Sequence, residues 1–317
     1  MKVLLSFDIE VWCGGWARLD ETFPAAFDRY VYGRSSQGEY ALPKTLEMLN
    51  ACGLRGVFFV EPLFAARFGL HHLVTIIDLI RNAGQDVQLH LHPEWTDEIS
   101  PAIIPDNRVK RQHMSYYTLV EQSALIARGK QMLLEAGAGP VNAFRAGNFG
   151  CNRDTFRALG ENDIGFDSSL NANYEVSGAD LCDGPWRLLP SVIEGISSFP
   201  VSLFADGLGK TRSAQVGGCS FAELRDAIEN AAMAGHDEFV IVSHNFEMLK
   251  PNSAQPDPVV VRRFARLCRY LGDNSQHLPT ALYSDCRVGS SRSEAAPPRV
   301  GLSATLQRHF EQLLRRF

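Results

Sequence analysis

The sequence has no run approaching the roughly 18 uninterrupted apolar residues that a membrane-spanning helix needs, so no transmembrane segment is expected. No secretory leader is expected either. In MKVLLSFDIEVW a short apolar run meets Asp8 and Glu10 at once, with no small-residue cleavage site, so the segment reads as a first β-strand rather than a leader. The 7 cysteines (Cys13, Cys52, Cys151, Cys182, Cys219, Cys268, Cys286) are odd in number and contain no Cys-x-x-Cys pair, which excludes a dense disulfide framework and a thiolate zinc site and suits a reducing cytoplasm. There is no excess of positive charge. A net charge of −5 gives no general attraction to a phosphate backbone, so no nucleic-acid partner is expected. No repeat recurs at a fixed period, which argues against solenoids and propellers.

What is present is ordinary globular material: 317 residues, 45% hydrophobic and 21% charged, enough for a large core. Short β-branched or aromatic runs alternate with stretches of helical spacing, the pattern of a mainly parallel α/β fold. Strands are predicted at Val3–Ile9, Gly56–Val60, Asp86–His90, Asn142–Arg145, Ile164–Asp167, Ser198–Val201, Phe239–Ser243 and Thr280–Ser284. Helices are predicted at Leu42–Cys52, Leu73–Ala83, Leu119–Ala136, Arg153–Leu159, Phe221–Ala234 and Val259–Leu271. Thr118 and Ser220 each stand three residues before a Glu, as in a capping box, and glycines follow several helix ends. After Cys286 the composition turns to RVGSSRSEAAPPRVGLS, so a flexible linker is expected over 287–303, closing a domain at 1–286. Residues 304–317 place Leu306, Phe310, Leu313, Leu314 and Phe317 on roughly one helical face, with Arg308, Arg315 and Arg316 available for another. Such a basic amphipathic helix lies weakly on a membrane surface, docks on a partner, or packs on its own barrel.

Ionisable residues recur at the C-terminal ends of the predicted strands, the face where barrel enzymes keep their active sites. They are Asp8 and Glu10, Glu61, His90 with His92, Arg145, Asp167, and His244 with Asn245. Side chains at i and i+2 of a strand share a face, so Asp8 and Glu10 point together, and two adjacent carboxylates repel unless a cation or a shared proton relieves them. His90 and His92 in QLHLHPEW share a face in the same way, with Glu94 two residues on, and nitrogen beside carboxylate oxygen suits zinc or a similar borderline divalent metal. Arg145, before the glycines of FRAGNFG, can hold a carboxylate charged and aimed. His244, after the apolar run FVIV, can pass a proton to a leaving amine. Asp167 either orients it or bonds to loop backbone. His71, His72, His113, His236, His277 and His309 are given no role. Trp12, Trp16, Trp95 and Trp186 stack on sugar faces or serve as packing.

In chain order over residues 1 to 286, SFDIE, GVFFVEP, QLHLHP, FRAGNFG, FDSS and IVSHN resemble the polysaccharide deacetylase, or NodB-homology, family. The resemblance implies a distorted (β/α) barrel of seven or eight mostly parallel strands that removes acyl groups, acetyl above all, from the nitrogen of amino sugars with a divalent metal, zinc. Two motifs depart from the family. Its first motif has adjacent aspartates, base then ligand, whereas Ile9 separates Asp8 from Glu10; the base role is carried to Asp8 and the ligand role to Glu10, the reverse being open. Its histidine ligands are spaced by four residues, whereas His92 follows His90 by two; His90 and His92 are taken as ligands, with Glu94 the substitute for the second.

The implied reaction is metal-assisted amide hydrolysis, with Asp8 as base, Arg145 steadying it, backbone N–H groups near Gly147–Gly150 meeting the oxyanion, and His244 as acid. The substrate expected of a cytoplasmic enzyme is a glycan intermediate made inside the cell. The rivals are an exonuclease, because FDIE also resembles a proofreading-exonuclease motif; a glycan-binding barrel that has lost the reaction; and an amidase or deformylase acting on small or lipid-linked substrates. An all-carboxylate nuclease site leaves the paired histidines without a job.

Overall fold

A computed structural model describes residues 1–105, 108–181, 184, 187–289 and 296–315. In chain order the elements are β1 (Lys2–Ile9), α1 (Leu19–Phe27), β2 (Arg34–Ser35), β3 (Gly38–Glu39), α2 (Leu42–Ala51), β4 (Gly56–Val60), α3 (Phe64–Phe68), α4 (Leu70–Asn82), β5 (Asp86–Leu91), α5 (Leu119–Glu135), β6 (Ala143–Ala146), α6 (Arg153–Glu161) and β7 (Phe166–Asp167). There follow β8 (Ser191–Ile193), β9 (Ile196–Ser198), β10 (Leu203–Ala205), β11 (Thr211–Ser213), α7 (Phe221–Met233), β12 (Glu238–His244), α8 (Pro258–Asp273) and α9 (Leu302–Leu314). The chain divides into two compact units, one made of Met1–Gly56, Ser202–Leu282 and Ala296–Phe317, the other of Val57–Val201 and Tyr283–Ala295. Among the described residues no helix is long and apolar enough to cross a membrane.

The first unit is built on the parallel pair β1–β12, in register from Lys2 opposite Glu238 to Asp8 opposite His244. Seven of the eight residues of β1 are buried, so KVLLSFDI is covered on both faces, as parallel strands normally are. Helix α7 starts where Ser220 and Glu223 form the expected capping box, and α8 starts where Asp257 accepts from the Val259 and Val260 amides. The antiparallel pairs β2–β3 and β10–β11 were not foreseen; at two or three residues each they are too short to show a period. Helix α1 was missed as well, because Pro24 within it reads as a breaker.

The second unit carries six strands in the order β4-β5-β6-β7-β9-β8, every neighbouring pair parallel except β8–β9. The capping box at Thr118 and Glu121 starts α5, and an unforeseen one at Asn152 and Thr155 starts α6. The strand expected over Ser198–Val201 is shifted to Ile196–Ser198. Pro200 has no N–H to give to a ladder, and Glu194 and Gly195, at φ 48° and 84°, turn the chain back into a hairpin instead. The segment expected as a strand over Thr280–Ser284 is also different: Thr280 makes one isolated parallel bridge to Val3, and the chain then turns through a 3₁₀ segment at Tyr283–Asp285.

The six described cysteines, Cys13, Cys52, Cys151, Cys219, Cys268 and Cys286, are free thiols. Cys182, Trp186, Arg316, Phe317 and part of the expected linker, residues 290–295, lie outside the described residues. Helix α9 packs on its own unit by its small and polar face. Ala304, Thr305 and Arg308 are buried, and Arg308 meets Glu223 and Asp206.

Candidate functional site

In the first unit the C-terminal ends of β1 and β12 bring Asp8, Glu10 and His244 together, with one ligand atom of each within 4.8 Å of the others. The parallel register makes this unavoidable, since Asp8 and His244 are paired residues; His244 Nε2 lies 3.9 Å from Asp8 Oδ2. Asn245 ties the two strand ends by donating its Nδ2 to the Glu10 carbonyl at 3.0 Å and accepting the Glu10 amide at 3.2 Å. Trp12 donates its indole N–H to Glu10 Oε2 at 2.6 Å, which fixes the carboxylate and commits that ring's polar edge.

His244 Nδ1 lies 3.0 Å from Glu247 Oε1. Glu247 also accepts from Gln215 Nε2 at 2.6 Å and Ser243 Oγ at 3.1 Å, so it is held firmly. Burial works against charge on the imidazole, but the Glu247 hydrogen bond and the negative field of Glu10, Glu247 and Asp8 prevail, and the His244 pKa is raised to about 9. The residue therefore carries its proton at neutral pH. Glu247 was not picked from the sequence. Its spacing of three from His244 was the available signal, and a turn after the strand makes that spacing a contact.

In the second unit β5 ends at the two expected histidines, whose ring centroids are 4.8 Å apart and nearly perpendicular. His90 Nδ1 is 2.8 Å from the Arg145 carbonyl oxygen, and His92 Nδ1 is 3.3 Å from Glu94 Oε2. An oxygen acceptor at Nδ1 selects the tautomer with its proton there, which leaves Nε2 as the lone-pair nitrogen. Metal-binding histidines are set up in this way, with an outer carbonyl or carboxylate holding the other ring nitrogen. Glu61, buried beneath, accepts the His92 and Leu63 amides; burial, outweighing His92 and these two bonds, pushes its carboxyl up to about 8.

Arg145 is fully buried on β6. Its Nε donates to the Ser168 carbonyl at 3.1 Å, its Nη2 donates to Ser168 Oγ at 3.0 Å and Tyr283 OH at 3.3 Å, and its guanidinium lies 4.4 Å from the centroid of the Phe59 ring. Asp167 on β7 accepts from Ser169 Oγ, the Ser169 amide and Ser198 Oγ at 2.5, 3.0 and 3.1 Å. Those donors favour the carboxylate, yet burial dominates and raises its pKa to about 6. In the second unit Asp167 thus braces the loop after its own strand, and Ser169 carries the brace to β6 by accepting the Ala146 amide at 2.9 Å.

The Gly147–Phe149 turn after β6 holds two consecutive non-glycine residues with positive φ, Asn148 at 52° and Phe149 at 57°. Such strain concentrates at functional sites. A Cβ on Gly147 would stand 2.7 Å from His92 Nδ1 and from the Leu91 carbonyl, so the glycine is required by close approach to the histidine strand. His113, given no role from the sequence, is buried beside this turn. Its Nδ1 has no hydrogen-bond partner, and burial, ahead of the opposing pull of Glu94, depresses its pKa. Trp95 is buried against Phe68 and serves as packing, whereas Trp12 and Trp16 meet edge to face at 6.3 Å.

No family model matches the sequence, and no curated protein does either. Solved structures do match. The crystal structure of a putative polysaccharide deacetylase from Mycobacterium smegmatis aligns over 93% of this chain and 94% of its own, at 17% identity and a TM-score of 0.53. The chain has the polysaccharide deacetylase fold. The fold class expected from the sequence, a distorted (β/α) barrel of mostly parallel strands, is the one this likeness shows. A family 4 carbohydrate esterase from Streptomyces lividans, solved with acetate, aligns over 94% of this chain and 97% of its own at 14% identity and a TM-score of 0.45. A pseudoenzyme of that esterase family from Bacillus anthracis aligns over 86% of this chain and 61% of its own at 12% identity and a TM-score of 0.44.

Proposed function

We propose that this protein is a metal-dependent hydrolase that removes an acyl group, acetyl first among candidates, from the nitrogen of an amino sugar in a glycan or glycan precursor. The observation that carries the reading is the pair of histidines at the end of β5, each with its Nδ1 proton held by an oxygen so that Nε2 is offered as a ligand. The donor set supports the same conclusion, since imidazole nitrogen with carboxylate oxygen fits zinc. His90, His92 and Glu10 are the proposed ligands. Glu94 is assigned to orienting His92, because its carboxylate is engaged at the ring's other nitrogen.

A divalent ion held by these residues supplies a Lewis acid for the acyl carbonyl and lowers the pKa of an attacking water toward neutrality. The chain supplies the rest. Asp8, nearly fully buried at the end of β1, takes the water's proton as general base. Arg145 is the cation proposed to steady that carboxylate. His244, already protonated and held at Nδ1 by Glu247, delivers the proton from Nε2 to the departing nitrogen. Backbone amides of the strained turn at Gly147–Phe149 are the proposed donors to the developing oxyanion. Asp167 is proposed to act through the loop it braces rather than on substrate. The free thiols fit the cytoplasm as the place of action.

The test is acetate release from N-acetylated amino-sugar oligomers by wild type and His244→Ala. Loss of the acid should slow release by about 10²–10⁴-fold while the protein still binds zinc. Wild-type turnover in the variant would defeat the acid assignment. Stoichiometric zinc with no release from any acylated sugar would favour the reading that the barrel binds glycans without hydrolysing them.

A further inference from the structure

Helix α9 carries a face that its own unit does not cover. Leu302, Leu306, Phe310, Leu313 and Leu314 are each 50–61% exposed, at spacings that keep them on one stripe. This is the reverse of the usual arrangement, in which an amphipathic helix turns its apolar face inward. The reason lies in Asp206 and Glu223, whose buried carboxylates draw Arg308 to the inner face and so turn the leucines outward. Contiguous apolar surface of this kind marks an interaction site.

Its neighbour says which kind. On α8, Arg262, Arg266 and Arg269 recur at i, i+4 and i+7 along an exposed face, and among the described residues none of the three is in an ion pair. Arg262 and Arg266 border a concavity of about 300 Å³ that is also lined by Phe221, Val259, Phe310 and Leu314, and by Glu311, whose carboxylate is paired with Arg263. The space suits an anionic headgroup and is too small for a peptide helix, while the leucine stripe is convex and suits a plane. A symmetric contact with a second copy on this face would bring the two arginine rows toward each other.

We propose that α9 and the arginine row of α8 form a peripheral membrane-docking face for anionic lipid, with Phe310 and the leucines entering the interface and Arg262 and Arg266 meeting phosphate. The surface lies wholly within the first unit and is independent of the hydrolase reading. Sedimentation of the full chain with vesicles of phosphatidylcholine, alone or mixed with phosphatidylglycerol, tests it. Binding is expected only to the mixed vesicles and should fall with added salt. Each basic residue near an anionic surface is worth about fivefold in binding, so Arg262→Glu with Arg266→Glu should weaken it by at least about 30-fold. Leu306→Asp with Phe310→Asp should abolish it while the thermal midpoint stays unchanged, because these side chains are exposed. No sedimentation with the mixed vesicles would overturn the proposal. So would a concentration-dependent dimer that Phe310→Asp dissociates, or capture of an acidic amphipathic peptide in preference to lipid.

Discussion

Replacing Arg308 with methionine tests how α9 is anchored. Arg308 Nε lies 2.9 and 3.1 Å from the two Glu223 oxygens and Nη2 lies 3.0 Å from Asp206 Oδ2, with both carboxylate side chains wholly inaccessible to solvent. Methionine fills much of the volume but leaves two buried negative charges without their shared cation, a change that typically costs about 3–5 kcal/mol. Here the cost should fall near the lower end. Asp206 still accepts from the Leu208 and Lys210 amides and from Arg212, and Glu223 still accepts from the Ser220 amide. A loss of about 3 kcal/mol corresponds to a fall in Tm of about 5 °C for a chain of this length, read by circular dichroism at neutral pH. Adding Glu223→Gln should return part of that loss. A Tm within a degree of wild type would refute the claim that this buried triad holds the helix.

Other expectations follow from the two clusters. Gly147→Ala, whose new methyl would stand 2.7 Å from His92 Nδ1, should weaken zinc binding about 10–100-fold in a chelator competition without unfolding the protein. Glu247→Gln removes the anion hydrogen-bonded to His244, so the imidazole pKa should fall from about 9 toward its ordinary value, visible in the histidine ring resonances and as an earlier alkaline loss of turnover. For Asp167 the folded pKa, about 6, lies above the ordinary 3.8, so the native state retains a proton that the unfolded chain has released. Stability should therefore fall as pH rises from about 4 to 6, and Asp167→Asn should flatten that slope in urea melts. Asp206 behaves oppositely: although burial resists it, the Lys210 and Leu208 amides and Arg212 hold its pKa low. Its contribution should be present above pH 3.8 and lost as pH falls through the depressed value.

The β1, β4, β5, β6 and β12 strands were legible because each is a short, mostly buried run between helical stretches, and the ends of β1 and β5 carry the acidic and histidine doublets at a spacing of two. That spacing correctly placed Asp8 with Glu10, and His90 with His92, on shared faces. It did not reveal what holds the rings. The Arg145 carbonyl and the Glu247 carboxylate become partners only through strand register and a turn, neither of which a period of two encodes. His113 was passed over for a related reason: it sits in a loop with no period, and its interest is the unpartnered Nδ1 that burial leaves. At α9 the apolar stripe was visible in the sequence, but its direction was not. The inward face is the one that carries Arg308 to Asp206 and Glu223, about 80 to 100 residues away, and turning it outward would leave two buried carboxylates without that cation.

The most direct test of the proposed hydrolase is metal content, measured by elemental analysis on purified wild type and on His90→Ala after dialysis without strong chelator. About one zinc-like ion per wild-type chain and none in the variant is expected, with both proteins folded. No metal in either, even after reconstitution with zinc, would contradict it and leave the histidine and carboxylate doublets as structural features of a glycan-binding barrel.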